Sequence, residues 1–393
     1  MVITKSPEYF FECIGCSRVF KEARIYSCPD CGDLLQIRYE LGSVKDEFQC
    51  SLHQGGGLSV WRYRALLPIS SRHVVTIGEG GTGLPRSEQL SQELNLTELY
   101  FKNEGQNPTG SFKDRGMTVA ITRAVEIGAK SVLCASTGNT SASMAAYAAK
   151  AGMKAIVLVP KGKIAKGKLL QASVHGANIV EVKGNFDRAL ETAKRMAEKR
   201  RDLYLVNSIN PYRIEGQKTT AFEMWEQLER RVPDYIFVPV GNAGNISAIW
   251  KGFKELRELE LTERLPKMIG VQASGAAPLA NAFMRKMEKV SPWLHPETVA
   301  SAIRIGAPAS WKKAFAAVRE STGTMLKVSD KEITHAQKLL AKREGIFAEP
   351  ASAASLAGVY KARDSQLITN DRCIVCIITG HGLKDQEAAG SAR

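Results

Sequence analysis

The strongest constraint in this chain is an alternation of short apolar runs, rich in Val and Ile, with helical patterns. The runs include "SVLCAS", "KAIVLVP", "NIVEVK", "LYLVNS", "YIFVPV", "MIGVQAS" and "CIVCIIT", with "LYFKNE" ahead of them. Between them lie segments such as "DRGMTVAITRAVEIG", "SASMAAYAAKAG", "GQKTTAFEMWEQL" and "ISAIWKGFKELREL". Strands that are apolar throughout, rather than on alternate residues, are buried on both faces, and the intervening helices supply the crossovers that parallel neighbours require. The chain is therefore predicted to be α/β, with mainly parallel sheet covered by helices on both faces. At roughly 150 residues per domain, its 393 residues allow two to three domains. Lys or Gly interrupts every apolar run before the roughly 18 residues of a membrane span. Residues 1–11 lack a charged start followed by an apolar run, so a soluble cytoplasmic protein is expected, with no membrane partner.

A second constraint precedes the alternation. Cys13-Ile-Gly-Cys16 and Cys28-Pro-Asp-Cys31 are two CxxC turns with eleven residues between them. Two facing turns of this kind offer four thiolates in a tetrahedron, which suits a structural zinc with no open coordination position. A redox or disulfide pair and a metal-free ribbon are the alternatives. Cys373-Ile-Val-Cys376 has the same spacing inside a strand-like run. Positions i and i+3 of a strand point to opposite faces, so this pair and Cys134 are expected in the core.

Ligands of parallel α/β sheets bind beyond the carboxyl ends of the strands, where helices begin. Four such junctions carry unusual residues. In "NEGQNPTGSFKDRG", Asn107-Pro108 and Gly110 specify a turn, Ser111 is placed to cap a helix, and Lys113 falls in its first turn. The helix dipole disfavours a cation there, so the lysine is expected to be the readily deprotonated kind that acts as a nucleophile or Schiff base. A surface lysine paired with Asp114 is the alternative. In "ASTGNTSASMAAYAA", residues 136–141 gather hydroxyls, an amide and backbone N–H groups at a helix start, an anion site or ordinary capping. In "YIFVPVGNAGNISAIWKGF", Gly241-Asn242-Ala243-Gly244-Asn245 joins a strand directly to a helix and is expected to cradle a phosphate. Neither a Walker A pattern nor GxGxxG is present, which disfavours a nucleotide. In "CIVCIITGHGLKD", Thr379 stands at a strand end with a hydroxyl suited to a ring nitrogen, and His381 is either catalytic or structural.

One lysine, one phosphate cradle and one polar strand end together resemble the threonine synthase family of fold-type II pyridoxal-phosphate enzymes. The resemblance runs from about Ile77 to Asp385 and rests on "NPTGSFKDRG", "ASTGNTSAS", "NSINPYRIEGQKT", "PVGNAGNISAIWKGF", "AIRIGAPASW", "EPASAAS" and "ITGHGLKD". Gly83 in "GEGGTGLP" departs from the family, which commonly has Pro there. The resemblance implies that Lys113 carries pyridoxal 5'-phosphate, that Asn139 bonds its phenolic oxygen, that Gly241, Asn242, Ala243, Gly244 and Asn245 hold its phosphate, and that Thr379 meets the pyridine nitrogen. It implies O-phospho-L-homoserine as substrate, a small anionic amino acid, with Ser136, Thr140, Asn207, Ser208 and Arg213 binding it. The product it implies is L-threonine, formed by γ-elimination of phosphate and β-addition of water, with Lys113 expected to move the protons.

The implied organisation is a zinc-ribbon-like segment at 1–40, a large cofactor-binding domain from 41–111 and 207–393, and a small mobile domain at 112–206, in a homodimer. The ribbon is expected to brace the large domain or a dimer contact. Serine or threonine dehydratases share the lysine segment but need no substrate-phosphate set, whereas a cysteate synthase acting on phosphoserine would keep one. The net charge of +14 gathers between Lys150 and Arg201, with 13 basic against 4 acidic residues. That run suits a solvated helix face and an anionic substrate. A nucleic-acid reading fits poorly, because Arg18, Lys21, Arg24 and Arg38 of the ribbon are offset by Glu12, Glu22, Asp30 and Asp33.

Overall fold

A computed structural model describes residues 7–21, 26–53, 56–161 and 166–385. Arg24 and Glu22 of the ribbon, and part of the basic run near residue 163, lie outside them. Three short strands come first: β1 (Tyr9–Cys13), β2 (Val19–Phe20) and β3 (Leu35–Tyr39), paired antiparallel in the order β2-β1-β3. The later strands are β4 (Glu98–Asn103), β5 (Ser131–Ala135), β6 (Lys154–Pro160), β7 (Asn178–Val182), β8 (Leu203–Leu205), β9 (Tyr235–Pro239), β10 (Lys267–Ala273), β11 (Thr324–Val328) and β12 (Cys373–Ile378). They form two sheets, β7-β6-β5-β8 and β11-β10-β9-β12-β4, in which every described pairing is parallel. β5, β9 and β12 are buried along their whole length, as expected for strands covered on both faces.

Residue contacts divide the chain into two compact units. The first runs to Gly81 and takes in Asn107–Thr219; the second holds Thr82–Gln106 and continues from Thr220. The segment 112–206 falls wholly inside the first unit, which also includes 41–81 and 207–219. In that unit Phe11, Cys13, Cys28, Leu35 and Ile37 of the ribbon share one core with Val132, Val157 and Tyr204 of the four-stranded sheet. The ribbon thus packs on the unit of the four-stranded sheet. Within the basic run, the helix Phe186–Lys199 buries only Ala189 and Ala193, so its charges lie on a solvated face.

Two helices of the first unit meet through glycines. A Cβ on Gly216 would overlap the carbonyl oxygen of Arg115, and one on Gly116 would lie 2.6 Å from the carbonyl oxygen of Arg213. Ala normally stabilises a helix interior by up to about 1 kcal/mol over Gly. Here overpacking reverses the sign, and Gly216→Ala is expected to cost about 1–3 kcal/mol or more. The urea midpoint of the variant measures this; a raised midpoint would show that the two backbones are not in contact.

In the second unit the long side chain of Lys102 on β4 is wholly buried. Its Nζ donates to Glu223 Oε2 at 2.8 Å, Gln227 Oε1 at 2.8 Å and the Thr82 carbonyl at 2.7 Å. Gly83, the departure from the family pattern, donates its N–H to Gln106 Oε1 at 2.6 Å. Proline has no N–H to give, so the glycine adds a bond that the more common residue would lack.

Candidate active site

Lys113 is the first residue of the helix Lys113–Glu126, and the backbone before it is fixed from the side. The turn closes with Gly110 N–H to the Asn107 carbonyl at 2.7 Å, with Gly110 at φ +81°, and Asn107 Oδ1 accepts from Gly80 N–H at 3.0 Å. Asp114, fully buried, does the rest. Its carboxylate accepts from Thr109 N–H at 2.7 Å, Thr109 Oγ1 at 2.6 Å and Ser143 Oγ at 2.6 Å. Asp114 therefore ties the lysine turn to the helix Asn139–Lys150. Lys113 itself is half-buried, its Nζ 3.6 Å from the centroid of the Phe112 ring. Phe112, not Ser111, occupies the cap position, and Ser111 Oγ is buried with no partner.

The β5–β8 register pairs Leu133 with Leu205. Carried forward, it sets Ala135 beside Asn207 and Ser136 beside Ser208. Asn207 locks that end of the sheet: its Oδ1 accepts from Ala135 N–H and its Nδ2 donates to the Ala135 carbonyl, both at 2.9 Å. An amide has two donor hydrogens and two acceptor lone pairs, so this tie uses half of its capacity. Beyond β5, Ser136 Oγ accepts from Gly138 N–H at 3.2 Å, and Asn139 and Thr140 open the next helix, half-buried. Arg213, 2 % exposed, donates through Nη1 to the Val206 carbonyl at 3.2 Å, while its Nε has no partner. Burial pulls its guanidinium down to about 10, still a cation at neutral pH. A buried cation with an unmet donor is costly unless an anion completes it.

In the second unit β9 leads through residues 240–243 into the 15-residue helix Gly244–Glu258. Ala243 caps it in the left-handed conformation, φ +66°. A Cβ on Gly241 would lie 3.0 Å from the Ala302 carbonyl oxygen, so the chain passes "AIRIGAPASW" closely at this point. Asn242 braces that segment, its carbonyl accepting from Ser310 N–H at 3.1 Å. Asn245, 6 % exposed, has neither its Oδ1 nor its Nδ2 bonded, and Ser310 Oγ is buried and unbonded as well. The β12–β9 register sets Thr379 beside Val240, next to Gly241. Thr379 Oγ1 lies 2.9 Å from Ser352 Oγ and 3.2 Å from Glu349 Oε1. Glu349 and Ser352 belong to "EPASAAS" but had no assigned role in the sequence reading. Their proximity to Thr379 comes from a contact across about thirty residues.

His381 Nδ1 accepts from Leu383 N–H at 3.2 Å, and its ring packs edge-on against Phe347. Cys373, Cys376 and Cys134 are buried as expected, with burial pushing the Cys134 and Cys373 thiols up to about 12. Cys13, Cys16, Cys28 and Cys31 come together, their sulfurs all within 4.8 Å of one another. Cys13 and Cys31 are 3.3 Å apart and Cys16 and Cys28 3.7 Å. Tetrahedral Zn–S bonds of about 2.3 Å place sulfurs about 3.8 Å apart, so the cluster has the size of a four-thiolate metal site.

Residues 75–380 match the family described as pyridoxal-phosphate dependent enzyme. The chain is 53% identical to a threonine synthase of Methanocaldococcus jannaschii over 96% of its own length and 93% of the relative's. It is 50% identical to a threonine synthase of Methanosarcina acetivorans over the same shares. The chain belongs to the threonine synthase family. Its fold is also that of a processed threonine deaminase isoform from Solanum lycopersicum, with a TM-score of 0.67 at 23% identity, covering 79% of this chain and 86% of the other.

Family membership makes pyridoxal phosphate the cofactor, and the donor set suits it. A dianionic phosphate needs N–H and amide donors, and the start of a long helix with a buried, unbonded Asn245 amide offers them. Lys102 and Lys218, both buried, are each committed to a glutamate, Glu223 and Glu215.

Proposed function

We propose that this chain converts O-phospho-L-homoserine and water to L-threonine and phosphate. The observation that carries the reading is 50–53% identity to proteins named threonine synthase across 96% of the chain. Bound pyridoxal phosphate supplies a sink for the electron pair released at the substrate's Cα. Lys113 would hold the cofactor at rest, take the Cα proton and then a Cβ proton, and return them at Cγ and Cα, while the water that adds at Cβ gives its own proton to the released phosphate. Asn139 bonds the cofactor's phenolic oxygen. Gly241, Asn242, Ala243, Gly244 and Asn245 hold its phosphate with backbone N–H groups and the Asn245 amide. Thr379 serves the pyridine nitrogen with a neutral hydroxyl, oriented by Ser352 and Glu349.

Arg213 takes the substrate phosphate, because its buried guanidinium has a donor to spare. Ser136, Thr140 and Ser208 add hydroxyls, and Asn207 holds the strand end that presents them. This buried cation favours a phosphorylated substrate over the serine or threonine of a dehydratase. The deciding assay offers phosphohomoserine and phosphoserine in turn to the holoenzyme. Threonine and phosphate in equal amounts from the first support the reading; cysteate formed from phosphoserine and added sulfite, with no turnover of phosphohomoserine, would move it to cysteate synthesis.

Cys13, Cys16, Cys28 and Cys31 hold a structural zinc, supported by sulfur spacing. None of the eight cysteines is in a disulfide, which suits a reducing cytoplasm. The working unit is a homodimer acting on a small anionic amino acid. Metal analysis of the purified protein is expected to find one zinc per chain, and Cys16→Ser to lower its affinity at least about tenfold, read by competition with a chromogenic chelator. A protein purified without metal that takes up none would remove the zinc assignment.

A further inference from the structure

The ribbon does more than cap a core. Three of its tyrosines reach one stretch of the same unit, residues 204–218. Tyr26 Oη accepts from Leu205 N–H at 3.0 Å, and its ring lies 6.1 Å from that of Tyr204. The hydroxyls of Tyr9 and Tyr212 are 3.2 Å apart. Tyr39 donates to Glu215 Oε2 at 2.6 Å. Lys218 donates to the same oxygen at 2.7 Å and lies 4.1 Å over the Tyr39 ring, with Glu215 and Lys218 both buried. This stretch carries Asn207, Ser208 and Arg213, and at Gly216 its backbone meets Arg115, two residues past Lys113. A buried charge pair has one good geometry, and Tyr39 is the ribbon's hand on it.

We propose that the ribbon is a positioning element for the substrate-phosphate site: metal held by its four cysteines fixes β1 and β3, and Tyr39, through Glu215, fixes the helical turn that carries Arg213. Tyr39 touches neither substrate nor cofactor and is a positioning residue. The functional part rests on the reading of Arg213 given above; the mechanical coupling does not.

The test uses the full-length holoenzyme and compares metal-loaded protein, protein stripped with a chelator, and Tyr39→Phe in both states. Hydrogen exchange of residues 203–219 is read first, because it needs no turnover. Stripping and Tyr39→Phe should each speed exchange there, and the two should not add, since both release the same contact. In steady state each should raise KM for O-phospho-L-homoserine about five- to tenfold with kcat within about twofold, a typical coupling between sites. Unchanged exchange in 203–219 on stripping and in Tyr39→Phe, or fully additive effects, would overturn the coupling. Changed exchange with an unmoved KM would overturn its role at the phosphate site. If stripping unfolds more than the ribbon, Tyr39→Phe in loaded protein decides alone. Wild-type enzyme without phosphohomoserine turnover would sink the function proposed above, while the exchange measurement would still decide the coupling.

Discussion

Lys113→Ala is expected to remove the absorption band of bound pyridoxal phosphate near roughly 410–430 nm. It should also cut threonine formation by about 10³-fold or more, because the variant lacks both the anchoring amine and the proton carrier. The fold should survive. Lys113 is only half-buried at the start of its helix, and the bonds that fix the turn run through Asp114, Thr109 and Ser143. Removing a cation from a helix N-terminus even relieves about 0.3–1 kcal/mol of unfavourable dipole interaction. Loss of activity with an unchanged urea midpoint therefore isolates chemistry from stability. A retained band and retained turnover would place the cofactor on another lysine, and the buried Lys218 and Lys102 are already bound to Glu215 and Glu223.

How far the site was legible can be judged from the same turn. The sequence contains the lysine, the turn residues and the helix after them, because turn chemistry and helical periodicity are local. The partner of Asp114 was not legible. A charge one residue from Lys113 reads as its surface partner, whereas the carboxylate is buried and bonded to Ser143, 29 residues away. The β5–β8 tie through Asn207 is likewise a contact across 72 residues. Local pattern distinguishes the two kinds of CxxC correctly, since strand geometry separates Cys373 from Cys376 while paired turns gather Cys13, Cys16, Cys28 and Cys31. β11 was missed: "TMLKV" is short, alternates with Lys327 and forms a sheet edge. Unit limits were hard to read for a different reason. The helix Pro211–Gln227 contributes residues to both units, so no Pro-, Gly- or Ser-rich linker marks the change at Thr219.

The second large effect lies away from any ligand. Lys102 stands in "LYFKNE", and both it and Glu223 are wholly buried. Replacing Lys102 by Met removes the cation and takes from the buried Glu223 its ion-pair partner, at an expected cost of about 3–5 kcal/mol. Replacing both residues, Lys102→Met with Glu223→Met, removes the charge that caused the penalty. The double variant should therefore recover to within about 1–2 kcal/mol of the wild type. Gln227 keeps a bond in either case, since its Nε2 donates to the Thr82 carbonyl at 2.8 Å. Urea midpoints of the two single variants and the double one give the cycle, with unchanged slopes required for the comparison. A double variant as weak as Lys102→Met would mean that the lysine's packing and its bond to Thr82 matter, not the charge balance. The consequence for function follows from register. Lys102 pairs with Ile377 and Asn103 with Ile378, so β4 sets the end of β12 and the position of Thr379 just beyond it. Lys102→Met is accordingly expected to loosen pyridoxal phosphate as well as the fold, with the double variant restoring both, which equilibrium dialysis of the cofactor would record.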